Sequence, residues 1–207
     1  ISIIVSMERF HIACGQFEAE PGNKTKNIDT MIRQIEIAAN RGCDLILFPE
    51  MAVSGYLPPD QMPGLAEPID GPSAERLSGA AKDAKIAVVY GFAELDPSDD
   101  RKFNTFVFFG PDGKEIGRYH KMHLWDTEAQ WATAGTEAPL FDYAGCKLSG
   151  WICYDTRFPE LGRLAFLKGA EVCLIPTAWL GPPEEWGMSV RSRALDNTYF
   201  VAGSDLI

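Results

Sequence analysis

NKTKNIDTMIRQIEIAANRGCDLILFPE, residues 23–50, is the stretch of sequence that decides the fold. Its first part carries apolar residues at helical spacing, an asparagine at the position of a helix cap and Gly42 at the position of a helix stop. The short apolar run that follows is typical of a parallel strand covered on both faces. The pattern therefore predicts a helix over 24–41 and a strand over 44–48.

The same alternation of strands and helices continues on both sides of this stretch. The predicted strands are 10–17, 86–92, 147–153, 172–176 and 198–203, and the predicted helices are 73–85, 160–169 and 186–197. Between Phe103 and His120, the residues Gly-Pro-Asp-Gly at 110–113 predict a hairpin. No linker or repeat interrupts the chain, so we expect a single α/β domain over 7–207.

Composition and charge exclude several classes of function. The chain has 207 residues, of which 46% are hydrophobic and 23% charged, which is ordinary for a globular domain. Its formal net charge of -10 opposes phosphate backbones and anionic lipid headgroups, so we expect no nucleic-acid partner and no membrane partner. The longest apolar runs have the length of a strand, and no run has the length of a bilayer span.

The five cysteines indicate a reducing compartment, and we expect a cytoplasmic protein without disulfides. Four of them are interpreted as small hydrophobic residues of the core: Cys14, Cys43, Cys146 and Cys173. The residues before Met7 lack the basic segment and the cleavage site of a secretory signal. We therefore interpret Met7 as the native start and the preceding residues as an upstream or cloning remnant.

Three residues at or just after the ends of predicted strands are candidates for chemistry, since α/β folds collect their functional groups there. Common motifs of serine hydrolases, nucleotide-binding proteins and zincins are absent from the sequence. Glu50 follows an apolar strand and Pro49, which cannot continue a strand ladder. A carboxylate in this place can act as a general base, or it can simply cap a helix or contact solvent.

Lys121 follows the predicted hairpin, between two histidines. A lysine there can stabilise an oxyanion, although most lysines are merely solvated. His120 and His123 also leave open a zinc site that carboxylates or His11 would have to complete.

Cys153 ends the predicted strand 147–153, and polar residues and Pro159 follow it. A turn at this point would expose the thiol and direct free backbone N–H groups at whatever it attacks. The alternative is a small hydrophobic residue of the core, as expected for the other four cysteines.

Three motifs, in their order along the chain, resemble those of the carbon-nitrogen hydrolase (nitrilase) superfamily. They are Phe48-Pro-Glu50, Tyr119-His-Lys121 with His123-Leu124, and Ile152-Cys-Tyr-Asp-Thr-Arg-Phe-Pro-Glu160. Further agreement comes from Gly55-Tyr56, Ile175-Pro-Thr-Ala-Trp179 and Arg193-Ala-Leu-Asp-Asn197. The resemblance extends from Phe10 to the end of the chain.

The resemblance implies a role for each matching residue. Cys153 would be the nucleophile, Glu50 the general base and Lys121 the electrostatic stabiliser, while Glu128 would hold Lys121 and help to orient the substrate. The backbone N–H of Tyr154 would complete an oxyanion hole with Lys121. Tyr56 and Trp179 would line the pocket. No metal and no organic cofactor is implied.

The resemblance also implies a fold and an assembly. The fold is a four-layer α-β-β-α sandwich, in which this chain would lack the family's C-terminal strands and tail. Members pair through helices on one face, which correspond to 160–169 and 186–197, so we expect a homodimer or a larger homo-oligomer. The apolar residues of these helices fit a core equally well: Leu161, Leu164, Phe166, Leu167 and Val190.

The implied activity is cleavage of a non-peptide C–N bond in a small-molecule amide. We favour a small aliphatic primary amide, hydrolysed to carboxylate and ammonia through a cysteine thioester, because the Cys-Tyr-Asp-x-Arg-Phe-Pro-Glu form is similar to the amidase branches. A nitrilase or an N-carbamoyl amide hydrolase would use the same triad. A truncated, non-catalytic interaction module remains an alternative of another class.

Overall fold

The computed structural model describes residues 9–206, so Met7 and the residues before it lie outside the described part. The strands are β1 (Ile12–Cys14), β2 (Leu45–Leu47), β3 (Ala87–Leu95), β4 (Lys102–Phe109), β5 (Glu115–His120), β6 (Phe141–Tyr143), β7 (Cys146–Gly150), β8 (Val172–Thr177) and β9 (Phe200–Asp205). The α-helices are α1 (Lys24–Asn40), α2 (Pro72–Ala84), α3 (Pro159–Leu167) and α4 (Pro183–Asn197). Three short 3₁₀ helices span Met62–Leu65, Asp126–Gln130 and Cys153–Arg157.

The strands form two sheets. The first has the order β1-β2-β3-β4-β5, with β1, β2 and β3 parallel and β4 and β5 added as antiparallel strands. The second has the order β6-β7-β8-β9, with only the β6–β7 pair antiparallel. Both predicted βαβ units and the predicted hairpin are therefore confirmed.

Alternating side chains of the first sheet belong to two separate cores, because successive residues of a strand point to opposite faces. Val88 and Val107 pack with the apolar faces of α1 and α2. Val89 and Phe106 pack instead against the second sheet, whose far side packs on α3. The order of layers is helices, sheet, sheet, helices, which confirms the predicted four-layer sandwich.

Helix α1 shows how the local sequence produces these elements. The Asn23 side chain accepts a hydrogen bond from the Lys26 N–H, as a helix cap does. Gly42 has a φ of 73°, in the left-handed region that ends helices. The predicted cap and stop are both confirmed.

Two expectations about cysteines were wrong. Strand β7 ends at Gly150, before Cys153: the Ile152 N–H donates to the Asp155 side chain, and Cys153, with a φ of 46°, begins a 3₁₀ helix. Of the other cysteines, Cys173 is buried, whereas Cys14 is exposed and Cys43 and Cys146 are only half-buried. Cys14 lies on the edge strand β1, which leaves part of its surface uncovered.

Over residues 9–206, no helix is long and apolar enough to cross a bilayer.

Candidate active site

A pocket of about 370 Å³ opens where the two sheets meet. Its lining comes from the loops and 3₁₀ helices that follow the strands: Glu50, Tyr56, Leu57, Lys121, Trp125, Thr127, Cys153, Tyr154, Arg157, Ala178, Trp179, Leu180 and Gly181. Every site residue expected from the sequence is in this lining except Glu128, which lies behind Lys121 and bonds to it. Residues far apart in the sequence are thus brought to one place.

Glu50 lies in the turn after β2 and is completely buried. Its Oε1 accepts hydrogen bonds from Lys121 Nζ at 2.8 Å and from Asn104 Nδ2 at 2.7 Å, and its Oε2 accepts one from the Ala178 N–H at 3.0 Å. The chain passes very close to β3 here, since a Cβ on Gly91 would lie 2.6 Å from the Glu50 Cα. These contacts hold the carboxyl group in a fixed orientation and exclude a role as a solvated side chain.

Lys121 is not a solvated lysine, because its side chain is only 1% exposed. Its Nζ donates to Glu50 Oε1 and, at 2.7 Å, to Glu128 Oε2. Burial disfavours the ammonium, but the two carboxylates outweigh burial and raise the pKa of Lys121 above its ordinary value. Lys121 is therefore a permanent positive charge in the wall of the pocket.

Glu128 lies in the 3₁₀ helix Asp126–Gln130 and is buried. Its Oε1 accepts hydrogen bonds from the Tyr56 hydroxyl at 2.9 Å and from Asn104 Nδ2 at 2.7 Å. Its Oε2 accepts from the Trp125 N–H in addition to Lys121. Tyr56, which we expected only as a pocket wall, therefore also fixes the second carboxylate.

Cys153 begins the 3₁₀ helix Cys153–Arg157, with its Sγ 3.7 Å from the Ala178 carbonyl oxygen. Burial, followed by the charge of Glu50, raises the pKa of this thiol well above its ordinary value, although Lys121 opposes the shift. The resting group is therefore a neutral thiol that needs a base to become a nucleophile. Tyr154, next in the chain, places its backbone N–H at the start of this helix, where N–H groups lack a partner within the helix.

The two histidines near Lys121 contact different carboxylates. His120 Nε2 lies 2.9 Å from Glu94 Oε2, and His123 Nδ1 lies 2.8 Å from Asp155 Oδ1. Within residues 9–206, no cluster of three or more His, Cys, Asp or Glu side chains has the arrangement of a metal site. The zinc alternative therefore has no ligand set in the described part of the chain.

Two buried polar residues at the site were missed by the sequence reasoning. Asn104 on β4 bonds to both Glu50 and Glu128. Asp155 accepts hydrogen bonds from the Tyr119 hydroxyl and the N–H groups of Ile152 and His123, so it joins the Cys153 helix to the segment after Lys121. Asn104 lies in a strand that is mostly apolar, and a buried amide requires partners, which is the signal that was available.

The mouth of the pocket carries a second cation. Arg157 lies one turn beyond Cys153, with its guanidinium 5.3 Å from the centre of the Trp179 ring and 5.9 Å from that of Tyr154. It forms an ion pair with Glu185 of α4, and both side chains remain partly exposed. Trp179 is held by its backbone N–H, which donates to Asp205 Oδ1 at 2.8 Å.

A family model and several curated proteins are similar to this chain in sequence. The family model described as Carbon-nitrogen hydrolase matches residues 11–206. Omega-amidase NIT2 of Xenopus tropicalis is 33% identical over 207 residues, covering 95% of this chain and 74% of that protein. Omega-amidase NIT2 of Homo sapiens is 32% identical over 209 residues, with the same two coverages of 95% and 74%.

Solved structures that are similar to this chain include those of an amidase. The NitN amidase of Nesterenkonia sp. AN1 has a TM-score of 0.89 and 29% identity, with 96% of this chain and 78% of that chain covered. A variant of that amidase, with a TM-score of 0.89 and 28% identity, carries the product of Michael addition of acrylamide at its active-site cysteine. The chain belongs to the carbon-nitrogen hydrolase family, and it is a cysteine-dependent amidase with the nitrilase fold.

Proposed function

We propose that the protein hydrolyses a small primary amide to a carboxylate and ammonia through a thioester on Cys153. Glu50 is the general base, Lys121 and the Tyr154 N–H bind the oxyanion, and Glu128 holds Lys121 in place. The observation that carries this proposal is the buried Glu50–Lys121–Glu128 network, of which Glu50 and Lys121 line the same pocket as Cys153. No metal or organic cofactor has a part in this chemistry.

Acylation begins when Glu50 takes the thiol proton and Sγ attacks the amide carbon. The C=O electron pair moves to oxygen, and the negative charge that develops faces Lys121 and the Tyr154 N–H. Glu50 then gives its proton to the amide nitrogen while the C–N bond breaks. Ammonia leaves, and the acyl group remains as a thioester on Cys153.

Deacylation repeats these steps with water as the nucleophile. Glu50 accepts a proton from the water, whose oxygen attacks the thioester carbon. The C–S bond of the tetrahedral intermediate breaks, and Glu50 returns the proton to Sγ. The carboxylic acid leaves, and the neutral thiol is restored.

The test is ammonia release from primary amides, nitriles and N-carbamoyl compounds by the unaltered chain, Cys153→Ala and Cys173→Ala. Cys173 is a matched control, because it is also a buried cysteine but lies outside the pocket. We expect release from amides, lost in Cys153→Ala and kept in Cys173→Ala. Release from nitriles or carbamoyl compounds alone would assign one of those activities instead, and no release from any class would favour a non-catalytic module.

A second candidate substrate class, amides that carry a carboxylate at the other end, is favoured by Arg157. Its guanidinium is the cation at the pocket mouth, and a substrate carboxylate can replace Glu185 as its partner. The relatives named omega-amidases support the same class. We expect Arg157→Met to lower kcat/KM for the monoamide of a short dicarboxylic acid about tenfold more than for a neutral amide of equal length. An equal loss for both would refute the class.

We further propose self-association through the outer helical layer. Large apolar side chains are exposed there on α3, on α4 and at the start of β9: Leu164, Phe166, Leu167, Met188, Leu195 and Phe200. An exposed group of this size is typical of an interface. Sedimentation of the unaltered chain and of Leu167→Lys/Leu195→Lys would test this, with a dimer expected only for the former.

A cytoplasmic location is also part of the proposal. All five cysteines are free, and Cys14 is exposed as well, which suits a reducing compartment. Fractionation of cells that express the full-length protein, with a reporter of thiol state, tests the location directly. Recovery from an oxidising compartment with disulfides would refute it.

A further inference from the structure

We propose that Asn104 is a positioning residue that holds the Glu50 and Glu128 side chains aligned with each other, so that Glu50 can act as the base. Its amide nitrogen donates one hydrogen bond to Glu50 Oε1 and one to Glu128 Oε1, each of 2.7 Å. The same nitrogen lies 3.3 Å from the Tyr56 hydroxyl oxygen, so its two shorter hydrogen bonds are those to the two carboxylates of the site. The inference rests on the proposed function, since it assigns a role to Asn104 within that reaction.

The charge of the site explains why a neutral donor is needed. Two buried carboxyl groups share a single ammonium, that of Lys121. At such short distance their oxygens repel each other unless hydrogen-bond donors lie between them. The hydrogen bonds from Asn104 to both groups supply such donors without adding a charge.

The orientation of the Asn104 amide supports the same role. Asn104 is completely buried, and its Oδ1 has no hydrogen-bond partner among the described residues. Reversing the amide would place this oxygen against two carboxylate oxygens, which repel it. The side-chain amide therefore donates to both carboxylates, although its own side-chain oxygen then has no hydrogen-bond partner among the described residues.

The position of Asn104 is set by strand register rather than by the pocket. The backbone carbonyl oxygen of Asn104 accepts a hydrogen bond from the Lys121 N–H at 2.8 Å. The backbone of Asn104 therefore holds Lys121, while the Asn104 side chain holds the two carboxylates that contact Lys121. Asn104 is absent from the pocket lining and does not reach the substrate. Its loss should therefore change kcat and the pH profile more than KM.

The other titratable groups that face the two carboxylates come from four further segments: Lys121 after β5, Tyr56 in the loop before Met62–Leu65, Cys153 in the last 3₁₀ helix and Asp205 on β9. Tyr56 and Cys153 have pKa values raised well above their ordinary values, first by burial. Burial raises the pKa of Asp205, and the charge of Glu50 adds to the shift. Substitution of Asn104 leaves each of these groups in place.

The experiment compares the pH dependence of kcat/KM for amide hydrolysis in the unaltered chain, Asn104→Leu, Asn104→Asp and Thr105→Val. Thr105 is the matched control, because it is the next residue of β4, is equally buried and donates to Glu94 instead. We expect the acid limb to move to higher pH by about one unit in Asn104→Leu and further in Asn104→Asp, which adds a third carboxylate. We expect kcat to fall about ten- to a hundredfold, with KM changed less than threefold. Thr105→Val should keep the original limb.

A second readout works without turnover. The rate of Cys153 alkylation by iodoacetamide against pH depends on the same base, so its acid limb should move in the same direction in both Asn104 variants. Limbs that stay unmoved in both variants, or that move equally in Thr105→Val, would overturn the role of Asn104. A chain that hydrolyses no amide, or that keeps its activity in Cys153→Ala, would overturn the proposed function instead, and the alkylation profile would still decide the role of Asn104.

Discussion

Two buried carboxylate clusters lie on opposite sides of the β4–β5 hairpin. Asn104 and Lys121 reach the Glu50–Glu128 pair on the side that faces the second sheet. Their chain neighbours Thr105 and His120 bond to Glu94 on the other side. Because successive residues of a strand point to opposite faces, one hairpin serves both clusters.

The clusters differ in how their charge is balanced. Glu94 is paired with Arg118 and lies within hydrogen-bond distance of His120, and the side chains of these partners are 32% and 30% exposed, so water reaches both of them. Lys121 is 1% exposed and faces two carboxylates, so the active-site cluster keeps an unbalanced charge out of water. The comparison indicates that the Glu94 cluster stabilises the fold, whereas the active-site cluster serves reactivity and costs stability.

The largest expected effect comes from Glu50→Gln, which separates reactivity from stability. Activity towards a primary amide should fall at least about a thousandfold, because the variant lacks the base. The melting temperature should stay the same or rise, since Lys121 and Glu128 then form a neutral pair. Steady-state kinetics and calorimetry on one preparation measure both. A large drop in the melting temperature would remove the distinction between the two clusters.

Glu94→Gln should show the opposite pattern. We expect a loss of about 2 kcal/mol in the free energy of unfolding, because Arg118 and His120 lose a charged acceptor and Thr105 a hydrogen-bond partner. The kcat of the folded fraction should change less than threefold, since Glu94 does not reach the pocket. Urea denaturation and active-site titration provide the two measurements. A thousandfold loss of kcat at full folding would contradict the structural role of Glu94.

The smallest expected effect is on acid stability. Burial opposes the charge of Glu94, but contacts with His120, Thr105 and Arg118 outweigh it and lower the pKa of Glu94 below its ordinary value of 4.5. The stabilisation it supplies is therefore complete above pH 4.5 and is lost as the pH falls through the lowered pKa. As the pH decreases from 6 to 3, the free energy of unfolding should therefore fall more steeply for the unaltered chain than for Glu94→Gln. Parallel curves would assign the acid sensitivity to other groups.

The sequence predicted most of the fold because periodicity in the chain reports which faces are buried. Its motifs also pointed to Glu50, Lys121 and Cys153 as site residues, and all three line one pocket. It could not predict the role of Asn104, which depends on the register between β4 and β5. The run before Cys153 is apolar like a strand, but the Ile152 N–H donates to the Asp155 side chain and Cys153 has a positive φ, and neither feature is visible in the sequence.

The backbone of Ala178 has a consequence for how this pocket can diversify. Its N–H donates to Glu50 and its carbonyl oxygen contacts the Cys153 thiol, so the spacing of these two groups depends on the backbone of one residue. Any residue except proline supplies the same N–H and C=O groups. The adjoining rim residues Trp179 and Leu180 can therefore change size and polarity while the reacting groups keep their spacing. Single substitutions at these two positions can therefore change the substrate preference while every variant keeps its catalytic groups.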